Sequence, residues 1–285
     1  MAGHQKGMTA LHAVDAADSI DLDRFRDEGY VVVRGGMCDR PAATALRESV
    51  LARLAEAGID LSDATTFHSG QKWHIWDSSK ANSNSEGAHA RIAPIELPGF
   101  DRVRRHLDAL HGGGDSWRYL DDARCGDASW ATDTVHVRYP RPETTTAWRP
   151  PFLGWHVDGA HFARHRHDSP EQSAIVLPVL SDVERGGGAT CVVPRSHVAV
   201  RDRLIRSGDL SYAGLFALAH WIGLRAKLSG AVVETAPTRA GDVLIMHPLL
   251  VHSASANCTA APRLAFNMGV RWTLPRPRPC ALFDP

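Results

Sequence analysis

The sequence lacks the features that would assign it to a membrane or to a nucleic-acid partner. Its 285 residues carry 32 Lys and Arg against 32 Asp and Glu, so no net charge draws the chain to a polyanion. No apolar run approaches the roughly 18 residues that would suggest a transmembrane helix. The first residues also lack the continuous apolar stretch of a secretory signal.

Cysteine is scarce as well. The five cysteines are odd in number and widely spread, and they form no CxxC pair, which disfavours a disulfide framework. We therefore expect a cytoplasmic protein with reduced thiols and with neither a nucleic acid nor a membrane as a partner.

The chain contains two regions that differ in their sequence patterns. Residues 1–20 are small and polar and predict a flexible tail, and residues 21–285 predict a single domain. Its first part, 21–133, contains helical patterns and one β-branched run. Residues 134–274 then show short strand-like runs separated by Gly and Pro, which favours an antiparallel sandwich or barrel. A helical insertion is predicted at 200–228.

A polar stretch interrupts the first part between residues 60 and 91. It carries Lys72, His74 and Trp76 with a period of two, and a second tryptophan, Trp73. Such a loop could form one wall of a substrate pocket, or its rings could simply attach it to the core. Both interpretations remain open.

His156, Asp158 and His252 predict a metal site. Residues two apart on a strand face the same side, so His156 and Asp158 can supply two adjacent ligands. His252 ends another apolar run and needs only to lie on a neighbouring strand. Two imidazoles and one carboxylate form the facial triad that holds non-heme Fe(II) and leaves one side of the metal open.

Arg263 adds a further element to this site. It follows His252 by eleven residues, across a predicted turn that would return the chain beside the histidine strand. A guanidinium there could bind a carboxylate with two parallel hydrogen bonds. A histidine-rich run, HFARHRH at 161–167, is predicted to be a loop beside the site.

Five segments carry a family resemblance when they are read in order. They are FRDEGYVVVRGG (25–36), WHVDG (155–159), GGGATCVVPRSH (186–197), GDVLIMHPLLVHSASAN (241–257) and PRLAFN (262–267). The chain resembles the phytanoyl-CoA dioxygenase-like (PhyH) family of Fe(II)/2-oxoglutarate-dependent dioxygenases. The resemblance implies a mainly β fold with flanking helices, built on a double-stranded β-helix of the jelly-roll or cupin type.

The resemblance also implies a site and a reaction. Iron would be bound by His156, Asp158 and His252, and the distal carboxylate of 2-oxoglutarate by Arg263. With O2 as the other cosubstrate, the reaction would release succinate and CO2 and attack an unactivated C–H bond of a small molecule. An amino-acid derivative or a natural-product intermediate is the expected substrate, which makes the protein an oxidoreductase of secondary metabolism.

The sequence does not decide which residues besides Arg263 contact the cosubstrate. Relatives often have a serine two positions after the last histidine ligand, where this chain has Ala254, so Ser253 or Ser255 could replace that contact. Arg138 and Tyr139 lie on the strand where relatives place cosubstrate contacts, and alternation allows only one of them to face inward.

Substrate contacts are predicted in two further places. His161 and Phe162, three and four residues beyond Asp158, could touch the substrate directly. Arg271 shares strand parity with Arg263 and could reach the pocket, and a surface ion pair is its alternative role.

Several reactions compete with hydroxylation. The same chemistry can give desaturation, cyclisation or epimerisation, whereas the carboxylate of Asp158 argues against halogenation, because related halogenases have Gly or Ala there. A metal-dependent cupin-like enzyme without a keto acid is another reading, but it leaves Arg263 without a role. A non-catalytic binding protein of the same fold would be expected to have lost a ligand.

Overall fold

The structure is a computed structural model that describes most of the chain in separate segments. These are residues 20–63, 66, 87–91, 100–119, 134–140, 148–159, 164–170 and 173–273. Within these segments the α-helices are α1 (Leu22–Glu28), α2 (Arg40–Glu56), α3 (Phe100–His111), α4 (Ser196–Ser207) and α5 (Tyr212–Ser229). The strands are β1 (Tyr30–Val33), β2 (Gly87–Arg91), β3 (Trp117–Tyr119), β4 (Thr134–Arg138), β5 (Arg164–His165), β6 (Ala174–Pro178), β7 (Thr190–Val192), β8 (Leu210–Ser211), β9 (Val233–Glu234), β10 (Val243–Met246), β11 (His252–Ala254), β12 (Arg263–Phe266) and β13 (Met268–Trp272).

The first two helices both begin at a capping aspartate. The carboxylate of Asp21 accepts the backbone N–H of Arg24 at 2.9 Å and caps α1, which ends at Gly29 with φ at 83°. Asp39 caps α2 through the N–H of Ala42 at 3.0 Å. These caps fix where β1 enters the sheet.

The described strands form antiparallel sheets. One has the order β1-β10-β6-β13-β3, and two others have the orders β11-β7-β9 and β12-β4-β2, with a small β5-β8 pair beside them. Consecutive strands along the chain often lie in different sheets, which is the pattern of a jelly roll. The predicted fold class, mainly β with flanking helices, is confirmed.

The strands are not confined to the region after residue 133. Strands β1 and β3 belong to the five-stranded sheet, and β2 pairs with β4 in register from Gly87 opposite Arg138 to Arg91 opposite Thr134. The prediction of a loop extending to Arg91 was therefore wrong at its end. The sequence GAHAR has little strand propensity, so pairing with β4 decides its conformation.

Strands β4 and β12 separate two environments. Their outer face, formed by Val135, Val137, Leu264 and Phe266, is buried in the main apolar core with residues of helices α1 to α3. The residues between them turn to the inside of the jelly roll. We call this side the inner face. By strand alternation it includes Arg138 and Arg263, together with Thr190 and His252 of the facing sheet.

The region predicted as one helical insertion contains two helices. Helix α4 ends at Gly208, whose φ of 77° favours glycine, and α5 begins after Ser211, whose hydroxyl accepts the N–H of Gly214 at 3.3 Å. The short strand β8 lies between them. Across the described part of the chain, none of the helices has both the length and the apolar character that crossing a membrane requires.

Candidate active site

The three predicted metal ligands come together where residues 154–158 meet β11. The backbone N–H of His156 donates to the carbonyl of His252, and the N–H of His252 donates to the carbonyl of His156, both at 3.0 Å. This reciprocal pair makes the two histidines direct cross-strand neighbours. Asp158 lies two residues beyond His156 and so returns to the same side.

The side chains have the spacing of metal ligands. Nε2 of His156 lies 3.2 Å from Oδ1 of Asp158, and Nε2 of His252 lies 3.4 Å from the same oxygen. One ligand atom from each residue lies within 4.8 Å of the other two. Mutually adjacent ligands at bond lengths of about 2.1 Å lie roughly 3 Å apart, so small rotations suffice to place all three around one ion.

Backbone carbonyls orient both imidazoles. Nδ1 of His156 lies 2.6 Å from the carbonyl oxygen of Gly154, and Nδ1 of His252 lies 2.9 Å from that of Leu250. Because a carbonyl can only accept, each Nδ1 carries a proton and donates it. In the neutral ring the lone pair then belongs to Nε2, the atom that faces Asp158. Metal-binding histidines are commonly held in this way.

The charges of the triad stabilise one another. Burial alone would raise the pKa of Asp158, but the charge of His252 and the hydrogen bonds that both imidazoles donate from Nε2 when they are protonated lower it well below its usual range. Burial alone would lower the pKa of His156, and the hydrogen bond and charge of Asp158 raise it overall. Asp158 is therefore a carboxylate at any physiological pH, as a metal ligand must be.

Arg263 is a buried cation at the other end of the inner face. Its side chain hydrogen-bonds the hydroxyl of Thr190 at 3.4 Å, and the described residues supply it with no carboxylate. Burial, followed by the nearby charge of Arg138, lowers its pKa to about 10. A buried charge without a counterion is costly, so this position suits an anionic ligand.

Arg138, rather than Tyr139, shares the inner face with Arg263. Arg138 lies directly opposite Arg263 in the β4–β12 register, and its charge acts on both Arg263 and His156. The ring of Tyr139 turns the other way and is buried in the main apolar core. The structure therefore answers the question that strand alternation left open: Tyr139 is not on the side of the candidate site.

Neither predicted serine faces Arg263. The hydroxyl of Ser253 donates to the carbonyl of Leu153 at 3.3 Å, and that of Ser255 donates to the carbonyl of Ala189 at 2.8 Å. Both follow His252 by an odd number of residues, so strand alternation turns them to the opposite side. Their hydroxyls are used within the sheet, and the expectation that one of them replaces a cosubstrate contact finds no support.

The hydroxyl that does lie on this side is that of Thr190, which the sequence reasoning missed. Thr190 is paired with Ala254, two residues after His252, and it is the residue whose hydroxyl contacts Arg263. Thr190 lies in the strand-like run ATCVV, but only the register of this strand against β11 shows that its hydroxyl is on the side of Arg263. Thr190 thus places a hydroxyl directly opposite the alanine at position 254.

The remaining predicted contacts divide into two groups. Arg271 is half-buried on β13. Met268 and Val270 lie in the main core, so strand alternation turns Arg271 to the opposite face, the one that its spacing from Arg263 predicts. The other predicted substrate residues lie outside the described part of the chain; they are Lys72, His74, Trp76, His161 and Phe162.

The ligand-bearing segments are supported from outside the site. Trp155 is fully buried, and its Nε1 donates to the carbonyl of Pro151 at 3.1 Å. On the β11 side, the hydroxyl of Ser196 accepts the N–H of Val251 at 2.8 Å. Trp155 and Val251 directly precede His156 and His252, so these contacts hold the backbone at both histidines in place.

Two solved structures have a similar fold. One is the non-heme alpha-ketoglutarate-dependent epimerase SnoN from nogalamycin biosynthesis, with 22% identity, 93% of this chain and 85% of that chain covered, and a TM-score of 0.53. The other is the carbocyclase SnoK from the same biosynthesis, with 16% identity, 88% and 82% covered, and a TM-score of 0.50. No curated protein is similar enough in sequence to match this chain.

An antiparallel jelly roll with two histidines and an aspartate converging on its inner side defines a non-heme metal enzyme of the cupin-like class. The sequence profile of the phytanoyl-CoA dioxygenase (PhyH) family matches residues 25–265, and the chain belongs to that family. It is accordingly a 2-oxoglutarate-dependent non-heme iron enzyme, as its sequence predicts.

Proposed function

We propose that His156, Asp158 and His252 bind the catalytic iron and that Arg263 binds the distal carboxylate of 2-oxoglutarate. The bound metal and keto acid, with O2 as the oxidant, would supply the oxidative chemistry, in which 2-oxoglutarate is converted to succinate and CO2. The chain contributes the ligand geometry, the orientation of the keto acid and the exclusion of water. The alternatives of a keto-acid-free cupin and of a silent binding protein are disfavoured by family membership and by the complete ligand set.

The single observation that carries this proposal is the pairing of a complete set of metal ligands at one end of the inner face with a buried cation at the other. At the metal end, Nε2 of His156 and Nε2 of His252 lie 3.2 and 3.4 Å from Oδ1 of Asp158. At the other end, Arg263 is buried beside a second cation, Arg138. A small dianion that reaches the metal with one end and Arg263 with the other fits both.

The substrate is proposed to be a small molecule whose unactivated C–H bond is hydroxylated. Two neighbours of the same fold carry out epimerisation and ring closure by name, so the fold admits these outcomes too. Both belong to the biosynthesis of a natural product, which supports the expectation of an amino-acid derivative or natural-product intermediate. The carboxylate of Asp158 occupies the position at which a halogenase would hold a halide.

The assignment is tested by following the iron-bound keto acid directly. Under anaerobic conditions, Fe(II) and 2-oxoglutarate should together give the weak visible charge-transfer band of a chelated keto acid. Arg263→Ala should raise the 2-oxoglutarate concentration needed for this band by about 100-fold, because it removes one partner of a buried charge pair. Its affinity for Fe(II) alone should change little.

The matched control is Arg203→Ala, since Arg203 is an exposed arginine of α4. It should leave both affinities unchanged. If the wild-type protein gives no band and releases no succinate under O2, the proposed function is wrong. If Arg263→Ala weakens iron and 2-oxoglutarate binding equally, the role of Arg263 is structural and its assignment to the keto acid fails.

A further inference from the structure

Asn267 lies between strands β12 and β13 and turns to the same side as Arg263. The residues directly before and after it, Phe266 and Met268, are both buried in the main apolar core. In extended backbone the residue between two such neighbours points the opposite way. Asn267 therefore lies on the inner face, four residues beyond Arg263.

Packing places Asn267 near the metal ligands. By the register of β13 against β6, Asn267 lies beside Leu177, which belongs to the same apolar cluster as Val192 and Leu250. Val192 is paired with His252, and the carbonyl of Leu250 accepts the N–H at Nδ1 of His252. The part of the sheet that carries Asn267 is therefore packed against the backbone next to this metal ligand.

The turn between β11 and β12 leads to the same placement. Nδ2 of Asn257 donates to the carbonyl of Ala261 at 2.7 Å, so the two strands leave the turn side by side. His252 lies five residues before Asn257, and Asn267 lies six residues after Ala261. At about 3.3 Å per residue, the two are at similar distances from the turn. Facing sheets are about 10 Å apart, so a small molecule at the metal can reach Asn267.

The carboxamide of Asn267 is available for hydrogen bonding. The residue is half-buried, and across the segments that the structure describes its side chain makes no hydrogen bond. Its neighbours on the inner face are Ala265 and Gly269, so no long side chain of the same strand covers it. Asparagine is depleted in strands, and a polar group partly withdrawn from water without a partner is unfavourable. Strand formation therefore does not account for an asparagine at this position.

We propose that the carboxamide of Asn267 binds the substrate, and that the substrate presents a neutral hydrogen-bond donor and acceptor side by side, as a lactam does. This inference rests on the proposed function, in which Arg263 binds the keto acid at the other end of the inner face. A carboxamide carries N–H donors and a carbonyl acceptor, so it can form two parallel hydrogen bonds with such a group. Because Asn267 is uncharged, it offers no counterion to a charged substrate group at this position.

The test compares two probes of the same shape. 2-Piperidone presents an N–H beside its carbonyl, and cyclohexanone has a CH2 group in place of that N–H. Protein loaded anaerobically with 2-oxoglutarate and with Mn(II) in place of Fe(II) is titrated with each, and the NMR relaxation of the probe protons by Mn(II) reports binding near the metal. The wild type should bind 2-piperidone about tenfold more tightly, because cyclohexanone leaves the Asn267 carbonyl without a donor.

Two substitutions of Asn267 separate a binding role from a structural one. Asn267→Leu keeps a similar shape but removes the polar atoms, so it should reverse the preference in favour of the more apolar cyclohexanone. Asn267→Gln keeps the carboxamide and should still bind 2-piperidone more tightly than cyclohexanone. A purely structural asparagine would leave the ratio of the two affinities unchanged in both variants.

The matched control is Thr44→Leu, a polar-to-leucine change at an exposed position of helix α2. It should bind both probes as the wild type does. The charge-transfer band with Fe(II) and 2-oxoglutarate, retained in all three variants, shows that they fold and hold metal and keto acid.

The possible results separate this inference from the proposed function. Absence of the band in the wild type overturns the proposed function, and this inference with it. With the band present, the inference alone is overturned if the wild type binds neither probe near the metal or does not prefer 2-piperidone. It is also overturned if Asn267→Leu retains that preference or if Thr44→Leu loses it.

Discussion

The outer face of strands β4 and β12 is apolar, whereas their inner face carries two arginines. On the outer face, Leu264 and Phe266 are fully buried in an apolar core. On the inner face of the same strand, Arg263 is equally buried but is charged and lies opposite Arg138. Adjacent residues in one strand thus serve different purposes.

This difference follows from the two-residue period of a strand. A strand between a core and a cavity can devote alternate residues to stability and to chemistry without a change in its backbone. Substitutions at adjacent positions should therefore have separable effects. Inner-face changes should alter ligand binding, and outer-face changes should alter the free energy of unfolding.

The largest expected effect is that of Asp158→Ala. The carboxylate links both histidines, so its removal should weaken Fe(II) binding by more than about 100-fold and abolish succinate release. The apoprotein should also lose some stability at neutral pH, because the folded state lowers the pKa of Asp158, but it should still unfold cooperatively. Iron titration and a thermal melt measure the two quantities, with Asp202→Ala on helix α4 as the control carboxylate. Retention of tight iron binding would exclude Asp158 as a ligand.

Leu264→Ala should have the opposite profile. The leucine is fully buried on the outer face, so truncation should lower the free energy of unfolding by about 3 kcal/mol. The KM for 2-oxoglutarate of the folded protein should not change. Urea denaturation and steady-state kinetics test both parts, with the exposed Leu228 as the control position. A large change in KM would show that the two faces are coupled.

His111 provides a smaller, pH-dependent test of the outer layer. Its imidazole is buried between the carbonyl of Leu107 and the hydroxyl of Ser173, both at 2.8 Å. Burial lowers the pKa of His111 to about 4, whereas an unfolded histidine titrates near 6.5. Between these values only the unfolded chain binds the proton, so stability falls as the pH decreases.

This linkage predicts a loss of about 2 kcal/mol between pH 7 and pH 5 that is attributable to His111. His111→Gln should be less stable at pH 7, but its stability should fall less over the same interval. Urea unfolding of both proteins at several pH values gives the comparison. Parallel pH profiles would mean that His111 titrates normally in the folded protein. No change in 2-oxoglutarate affinity is expected in either case.

The sequence predicted those features that depend on local pattern or on family order. The strand period placed His156 and Asp158 on one side. Family order then identified His252 and Arg263. For these residues a single strand or turn is enough to fix where the side chain points.

Features that depend on register between distant strands could not be predicted in this way. Thr190 reaches Arg263 only because β7 pairs with β11 two residues beyond His252. Strand β2 exists because β4 supplies its partners, not because its own residues favour extended backbone. Likewise, the choice between Arg138 and Tyr139 required knowledge of which face of β4 meets the core.

The smallest effect, and the finest test of the inner face, is that of Arg138→Ala. Arg138 is half-buried beside the buried Arg263, and an anion bound between two neighbouring cations would offset their repulsion. If 2-oxoglutarate is that anion, losing Arg138 should raise its KM by about tenfold and leave the thermal melt nearly unchanged. If Arg138 instead merely repels Arg263, its removal should leave the KM unchanged or lower it. The direction of the change in KM therefore decides whether the inner face binds the keto acid with one arginine or with two.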